Sequence, residues 1–192
     1  GATDADKGSI CCAVRSRYTT SFKGIVTSGH IFTDSRFNTD NNGVLDDDLQ
    51  TDVYFNEAPL GKWFYKELSE EQDLIIVKLN NDNEPTNIKQ FNDQYYDLTQ
   101  DDVYQKAEVK ILSRNGKLTS AYIINSNVEY EIGYFDQVCK KTNVILLSNS
   151  KDDQNPAPVS EKGDSGSCVY INHEGVDKII GILVGADKKF SF

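Results

Sequence analysis

Positive charge is what this chain has too little of. Against 30 Asp and Glu there are 20 Lys and Arg, giving a net charge of -10 and a pI near 4.6. Nucleic acids and anionic membrane surfaces are held through basic patches that offset repulsion, so neither is expected as a partner. A neutral or basic polypeptide is tolerated. No apolar run approaches the roughly 20 residues of a membrane-spanning helix, and the opening GATDADKGSI has neither the basic nor the apolar region of a secretory leader. Internal repeats are absent, and helix signal is scarce beyond a short piece around HIFTDSRF, residues 30–37. The four cysteines, Cys11, Cys12, Cys139 and Cys168, lack zinc-ligand spacing, so no metal or cofactor is expected. Adjacent Cys11 and Cys12 on a strand point to opposite faces and share no partner direction. Cys139 with Cys168 as a disulfide, or as two buried thiols, are both open, and the compartment is not fixed.

What is present is a chain of 192 residues, 38% hydrophobic, enough for one large domain or two small, closely packed ones with a real core. Short segments rich in β-branched and aromatic residues recur: SICCAVR, SFKGIVT, DVYF, KWFYKEL, DLIIVKL, AEVKILS, LTSAYII, NVEYEI, NVILLS, SCVYI and KIIGILVG. Asn, Asp, Gly and Ser separate them, which predicts an all-β sandwich or barrels. The polar, aperiodic stretch from Asn80 to Asp102 reads as the connection between two β halves, 1–90 and 91–192. The acidic run from Asp40 to Asp48 reads as a solvated loop.

Near the end stands EKGDSGSCVY, residues 161–170. A serine hydroxyl is a poor nucleophile at neutral pH and needs a base within hydrogen-bond reach, itself oriented by a third group. Only two histidines are available. His173, between Asn172 and Glu174, reads as an exposed loop histidine. His30 ends the apolar run GIVTSGHIF, as a base mounted on a rigid element would. Asp73 opens DLIIVKL, entering a buried strand. His30, Asp73 and Ser165 therefore form a candidate set in the order His, Asp, Ser. A lipase-type arrangement fails because residue 167 is serine where a G-x-S-x-G elbow has glycine, and because that fold needs acid and then histidine downstream of the nucleophile.

TSGHIF, DLIIVKL and GDSGS, in that order in a strand-rich chain, resemble the signature segments of the chymotrypsin-like (trypsin-like) serine peptidases, nearer their short microbial and viral members. The resemblance spans about Ser9 to the C-terminus. It implies two antiparallel β-barrels with the active site in the cleft between them, His30 and Asp73 coming from the first barrel and Ser165 from the second. It also implies the roles: Ser165 attacks, His30 moves the proton, Asp73 orients the imidazole, and the N–H groups of Gly163 and Ser165 form the oxyanion hole. Gly163 without a Cβ lets its N–H turn inward, and Gly166 allows close packing behind the serine.

The resemblance carries departures. Digestive members pair a freed apolar N-terminus with the aspartate of GDSG, whereas this chain begins GATDAD, so Asp164 needs another partner or the activation switch is absent. The short ends suit a domain of a longer chain or a secreted protein equally. Ser160, Val184, Gly185 and Ala186 are the expected substrate-pocket residues. Their lack of charge, and Val159 and Ser160 near the position of the family's base-selecting aspartate, do not support Arg or Lys preference. Lys162, Lys188 and Lys189 read as surface lysines. The implied activity is that of a serine endopeptidase acting on polypeptides. The competing expectation is a catalytically silent peptidase-like binding or scaffold domain, which a distorted oxyanion turn would favour.

Overall fold

A computed structural model describes residues 8–15, 23–31, 42–80, 88–91, 95–134, 137–152 and 154–192. Two antiparallel sheets account for most of it. The first holds β1 (Cys12–Arg15), β2 (Lys23–Thr27), β3 (Gly43–Val44), β4 (Asp52–Phe55), β5 (Ala58–Leu68) and β6 (Asp73–Leu79) in the order β1-β2-β6-β5-β3, with β4 also paired to β5. The second holds β7 (Glu108–Leu112), β8 (Leu118–Tyr134), β9 (Gln137–Ser148), β10 (Cys168–His173) and β11 (Val176–Ile182) in the order β11-β10-β7-β8-β9.

Each sheet closes on its own apolar core. Ile25, Val53, Trp63, Ile75 and Val77 fill the first, and Val109, Ile111, Ile123, Leu147 and Val169 the second. β6 shows why its sequence is apolar without alternation. Ile75 and Val77 point into the first core, while Leu74 and Ile76 face a separate cluster shared with Cys168 and Tyr170 of β10. A strand buried on both faces reads as a continuous hydrophobic run, and here the second face is the junction of the two sheets.

Several expectations are adjusted. LTSAYII and NVEYEI belong to one strand, β8, because Asn127 takes a φ of 53° inside a register shift against β9. A left-handed asparagine there makes a bulge. The helical piece around residues 30–37 is a 3-10 turn over Gly29–Ile31, and residues 32–37 lie outside the described residues, as do Asp40 and Asn41 of the acidic run. Asp46, Asp47 and Asp48 of that run are exposed. The connection after Asn80 ends in α1 (Gln100–Tyr104), whose Thr99 and Asp102 form a reciprocal capping box.

All four thiols are free. A Cys139–Cys168 bridge does not form, because β9 and β10 are separated in the sheet by β7 and β8 and the two residues pack in different clusters. Cys168 instead lies with Cys11 and Cys12. Cys11 precedes β1, so strand alternation does not separate its thiol from its neighbour's. Hydrogen bonds with Cys12 and Cys168, together with burial, push the Cys11 thiol well above the usual range; the bond from Cys11 draws Cys12 below it.

Candidate active site

β2 is buried from Gly24 onward and runs through Thr27 and fully buried Ser28 into the Gly29–Ile31 turn, which presents a half-buried His30 between buried neighbours. β6 pairs antiparallel with β2 through Thr27 and Ile75, so its first residue, Asp73, falls beside that turn. The carboxylate is 1% exposed and accepts twice from one residue: His30 N–H to Oδ1 at 3.0 Å and His30 Nδ1 to Oδ2 at 2.7 Å. An ionised carboxylate only accepts, so Nδ1 carries the proton and Nε2 keeps its lone pair. Ser28 Oγ lies 2.7 Å from the same Nδ1 and further fixes the ring.

Nε2 faces Ser165 Oγ at 3.1 Å. The hydroxyl also donates to the Val184 carbonyl at 2.9 Å, so its single proton has two acceptors, one of them the imidazole. Ser165 follows a tight turn in which Asp164 N–H donates to Glu161 O at 3.0 Å and Gly163 has a φ of +95°. Positive φ at the third residue, with none at Lys162, makes this a type II turn. Among the described residues, the N–H groups of Gly163 and Ser165 donate to no protein acceptor, whereas those of Asp164, Gly166 and Ser167 all do.

Asp164, buried, has its partner. Its Oδ2 accepts Glu161 N–H at 2.9 Å and lies 3.4 Å from Lys117 Nζ, which also meets Glu161 Oε1 at 2.7 Å. The hydrogen bond to Glu161, with Asp164 adding to it, holds the Lys117 ammonium above the usual lysine range. An ammonium from the β7–β8 turn thus supplies the partner that the sequence leaves open for Asp164. Sequence reading missed it because an isolated lysine carries no pattern.

The expected pocket residues are brought together around Ser191 and Phe192. Ser160 Oγ is 2.7 Å from fully buried Ser191 Oγ, which also accepts the N–H groups of Val159 and Ser160 at 3.0 and 3.1 Å. Val184 and Gly185 donate to Phe192 O at 2.8 and 3.1 Å, and exposed Ala186 bridges to Ser191. Lys162, Lys188 and Lys189 are exposed. His173 stays apart at the end of β10, its ring 4.6 Å from that of Tyr96.

No protein-family model and no curated protein matches the chain. Among solved structures it is similar to a glutamic-acid-specific serine protease that uses a histidine triad in substrate binding, at 18% identity over 96% of this chain and 88% of that one, with a TM-score of 0.55. It also aligns with the active form of the Rv3671c protease of M. tuberculosis, at 14% identity over 97% and 75% of the two chains and a TM-score of 0.46. A murine norovirus NS6 protease, in an inactive mutant form, aligns at 10% identity over 93% and 89%, with a TM-score of 0.42. The fold is the chymotrypsin-like pair of antiparallel barrels, as the first of these likenesses shows.

Proposed function

We propose that the chain is a serine endopeptidase that cleaves polypeptides through His30, Asp73 and Ser165. The observation that carries this reading is the continuous set of contacts from Asp73 Oδ2 through His30 Nδ1, 2.7 Å, and His30 Nε2 to Ser165 Oγ, 3.1 Å. Ser165 Oγ bonds to the scissile carbonyl carbon as its proton passes to Nε2, and the imidazolium so formed is stabilised by Asp73. The proton then goes to the departing amine, leaving an acyl-enzyme that water hydrolyses by the same route in reverse. The negative charge on the tetrahedral oxygen meets the unspent N–H groups of Gly163 and Ser165. In other enzymes one such donor is worth on the order of 100- to 1,000-fold in kcat. Ser160, Val184, Gly185 and Ala186 line an uncharged primary pocket, which suits an uncharged side chain.

The first test is intact-protein mass spectrometry after exposure to a fluorophosphonate, with Ser165→Ala as control. One adduct, mapping to Ser165 and absent from the variant, is expected. Ser165→Ala should also lose turnover by up to about a millionfold, if the magnitude known for subtilisin carries over, with the thermal midpoint nearly unchanged. A folded wild-type protein that takes no adduct overturns the reading in favour of a silent binding domain.

A further inference from the structure

Behind Ser165 the junction of the two sheets is polar. Ser9, Ser113 and Ser167 are 3%, 7% and 0% exposed, and they come from three separate parts of the chain. Ser167 donates both its N–H, at 3.0 Å, and its hydroxyl to the Asp164 carbonyl. The same hydroxyl also lies in donating position to Ser113 Oγ at 2.8 Å, so its single proton has two buried acceptors, the Asp164 carbonyl and the Ser113 hydroxyl. Ser9 grips from the other side. Its N–H donates to Ser165 O at 2.8 Å and its hydroxyl to Gly163 O at 3.2 Å, while the same Oγ accepts Arg114 N–H at 2.9 Å. Ser9 is itself held through its carbonyl, which accepts from Thr27 Oγ1 at 2.6 Å.

Peptide planarity turns these contacts into aim. In a trans peptide the N–H points opposite to the C=O of the same plane. The plane joining residues 164 and 165 has its carbonyl bound twice by Ser167, so the Ser165 N–H is directed the opposite way, away from the buried hydroxyls. The plane before it is fixed at both ends, Gly163 O by Ser9 and Asp164 N–H by Glu161 O. The plane after it is also fixed at both ends, Ser165 O by Ser9 N–H and Gly166 N–H by Leu183 O at 2.7 Å. Three consecutive peptides are thus locked from behind, and the Ser165 N–H is the one donor in them left unspent among the described residues.

We propose that Ser9, Ser113 and Ser167 form a buried hydroxyl clasp that aims the oxyanion-binding N–H of Ser165, with Ser167 and Ser9 as positioning residues for the reaction. This rests on the peptidase reading above, in which Gly163 and Ser165 receive the oxyanion. None of the three hydroxyls touches substrate. They act through the orientation of the peptides they hold, so their loss weakens binding of the tetrahedral state and leaves ground-state binding alone.

The test compares wild type, Ser167→Ala and the double variant Ser9→Ala/Ser167→Ala, with rates expressed per active site titrated by fluorophosphonate. Ser167→Ala should lower kcat by about 10- to 100-fold, below the loss of a whole oxyanion donor, with KM within about twofold. A peptide boronate, which forms the tetrahedral adduct, should lose affinity by the same factor, and the double variant should lose more. If kcat per titrated site stays at the wild-type value while only the melting temperature falls, the hydroxyls are merely structural and the clasp is refuted. A wild-type protein that neither turns over nor takes the adduct refutes the peptidase reading instead. In that case amide hydrogen exchange at Asp164, Gly166 and Ser167 decides the clasp separately: faster exchange in Ser167→Ala supports it, and unchanged protection overturns it.

Discussion

Gly166→Ala isolates how closely the Ser165 loop is applied to the first sheet. Gly166 has a φ of +89°, and a Cβ there would lie 2.3 Å from Ser9 O, 2.3 Å from Thr27 Oγ1 and 3.2 Å from Ser28 N. Left-handed backbone costs an alanine roughly 1–2 kcal/mol. The clash adds an overpacking cost of about 1–3 kcal/mol. It also costs about 1 kcal/mol for the Ser9–Thr27 hydrogen bond, which must open to make room. The expected loss is therefore about 3–6 kcal/mol, against a usual total stability of about 5–15 kcal/mol. Gly163→Ala is the matched control. Its φ of +95° carries the same backbone cost, but its Cβ would meet Arg114 Cζ and Nη2 at 2.9 Å, the far end of an exposed side chain that can swing away. About 1–2 kcal/mol is expected there. With a urea m-value of about 2 kcal/mol/M, the midpoint should fall by roughly 1.5–3 M in Gly166→Ala and roughly 0.5–1 M in Gly163→Ala. Equal shifts in the two variants would refute the argument, because they would mean that Ser9 and Thr27 are not rigid obstacles.

Two further outcomes follow from ionisable groups. Cys12 is half-buried and drawn below the usual thiol range by its bond from Cys11, whereas Cys11 is buried and pushed above it; iodoacetamide at about pH 8 should label Cys12 well before Cys11, and faster labelling of Cys11 would contradict the assignment. Lys141 is buried, which lowers its pKa, and it donates to the carbonyls of Ser69 and Gln72. Between that lowered value and the unfolded lysine value of about 10.4, the unfolded chain binds more protons than the folded one. Stability should therefore rise with pH across the window through this group. Lys141→Met should flatten that rise in urea melts followed along the alkaline range, and an unchanged slope would assign it to another group.

The strands were legible because their residues are locally distinctive. DLIIVKL, NVILLS and CVYI have few alternatives to burial in a sheet, and β6, β9 and β10 contain them. β8 reads as two segments in the sequence because Ser126 and Asn127 have turn chemistry, and a bulge uses the same chemistry without ending the strand. The candidate site divides in the same way. His30, Asp73, Gly163 and Ser165 lie within short patterned segments, and a reader of the sequence alone reaches them. Ser9, Ser113 and Lys117 have no pattern around them, and their partners are 154, 54 and 47 residues away. Ser167 was visible only as the residue that breaks a lipase pattern. Cys139 and Cys168 look pairable in the sequence because no local signal gives the strand order, which separates β9 from β10.

Strand order also explains why the site depends on contacts far from it. His30 and Asp73 belong to the first sheet and Ser165 to a loop of the second, so the 3.1 Å between Nε2 and Oγ measures how the sheets dock. Two clamps set that docking from opposite sides. Ser9 of the first half holds the carbonyls of Gly163 and Ser165 in the second. Conversely, β9 of the second sheet holds the turn leading into β6: Thr142 N–H donates to Glu70 O at 2.7 Å and Lys141 to the carbonyls of Ser69 and Gln72, the residue before Asp73. The hydrogen bonds of both clamps end on backbone carbonyls of the segments that carry Ser165 and Asp73. The apolar cluster between the sheets supplies attraction, but apolar packing is non-directional. Directional hydrogen bonds at both ends of the junction are what can fix a hydroxyl and an imidazole to within a few tenths of an ångström.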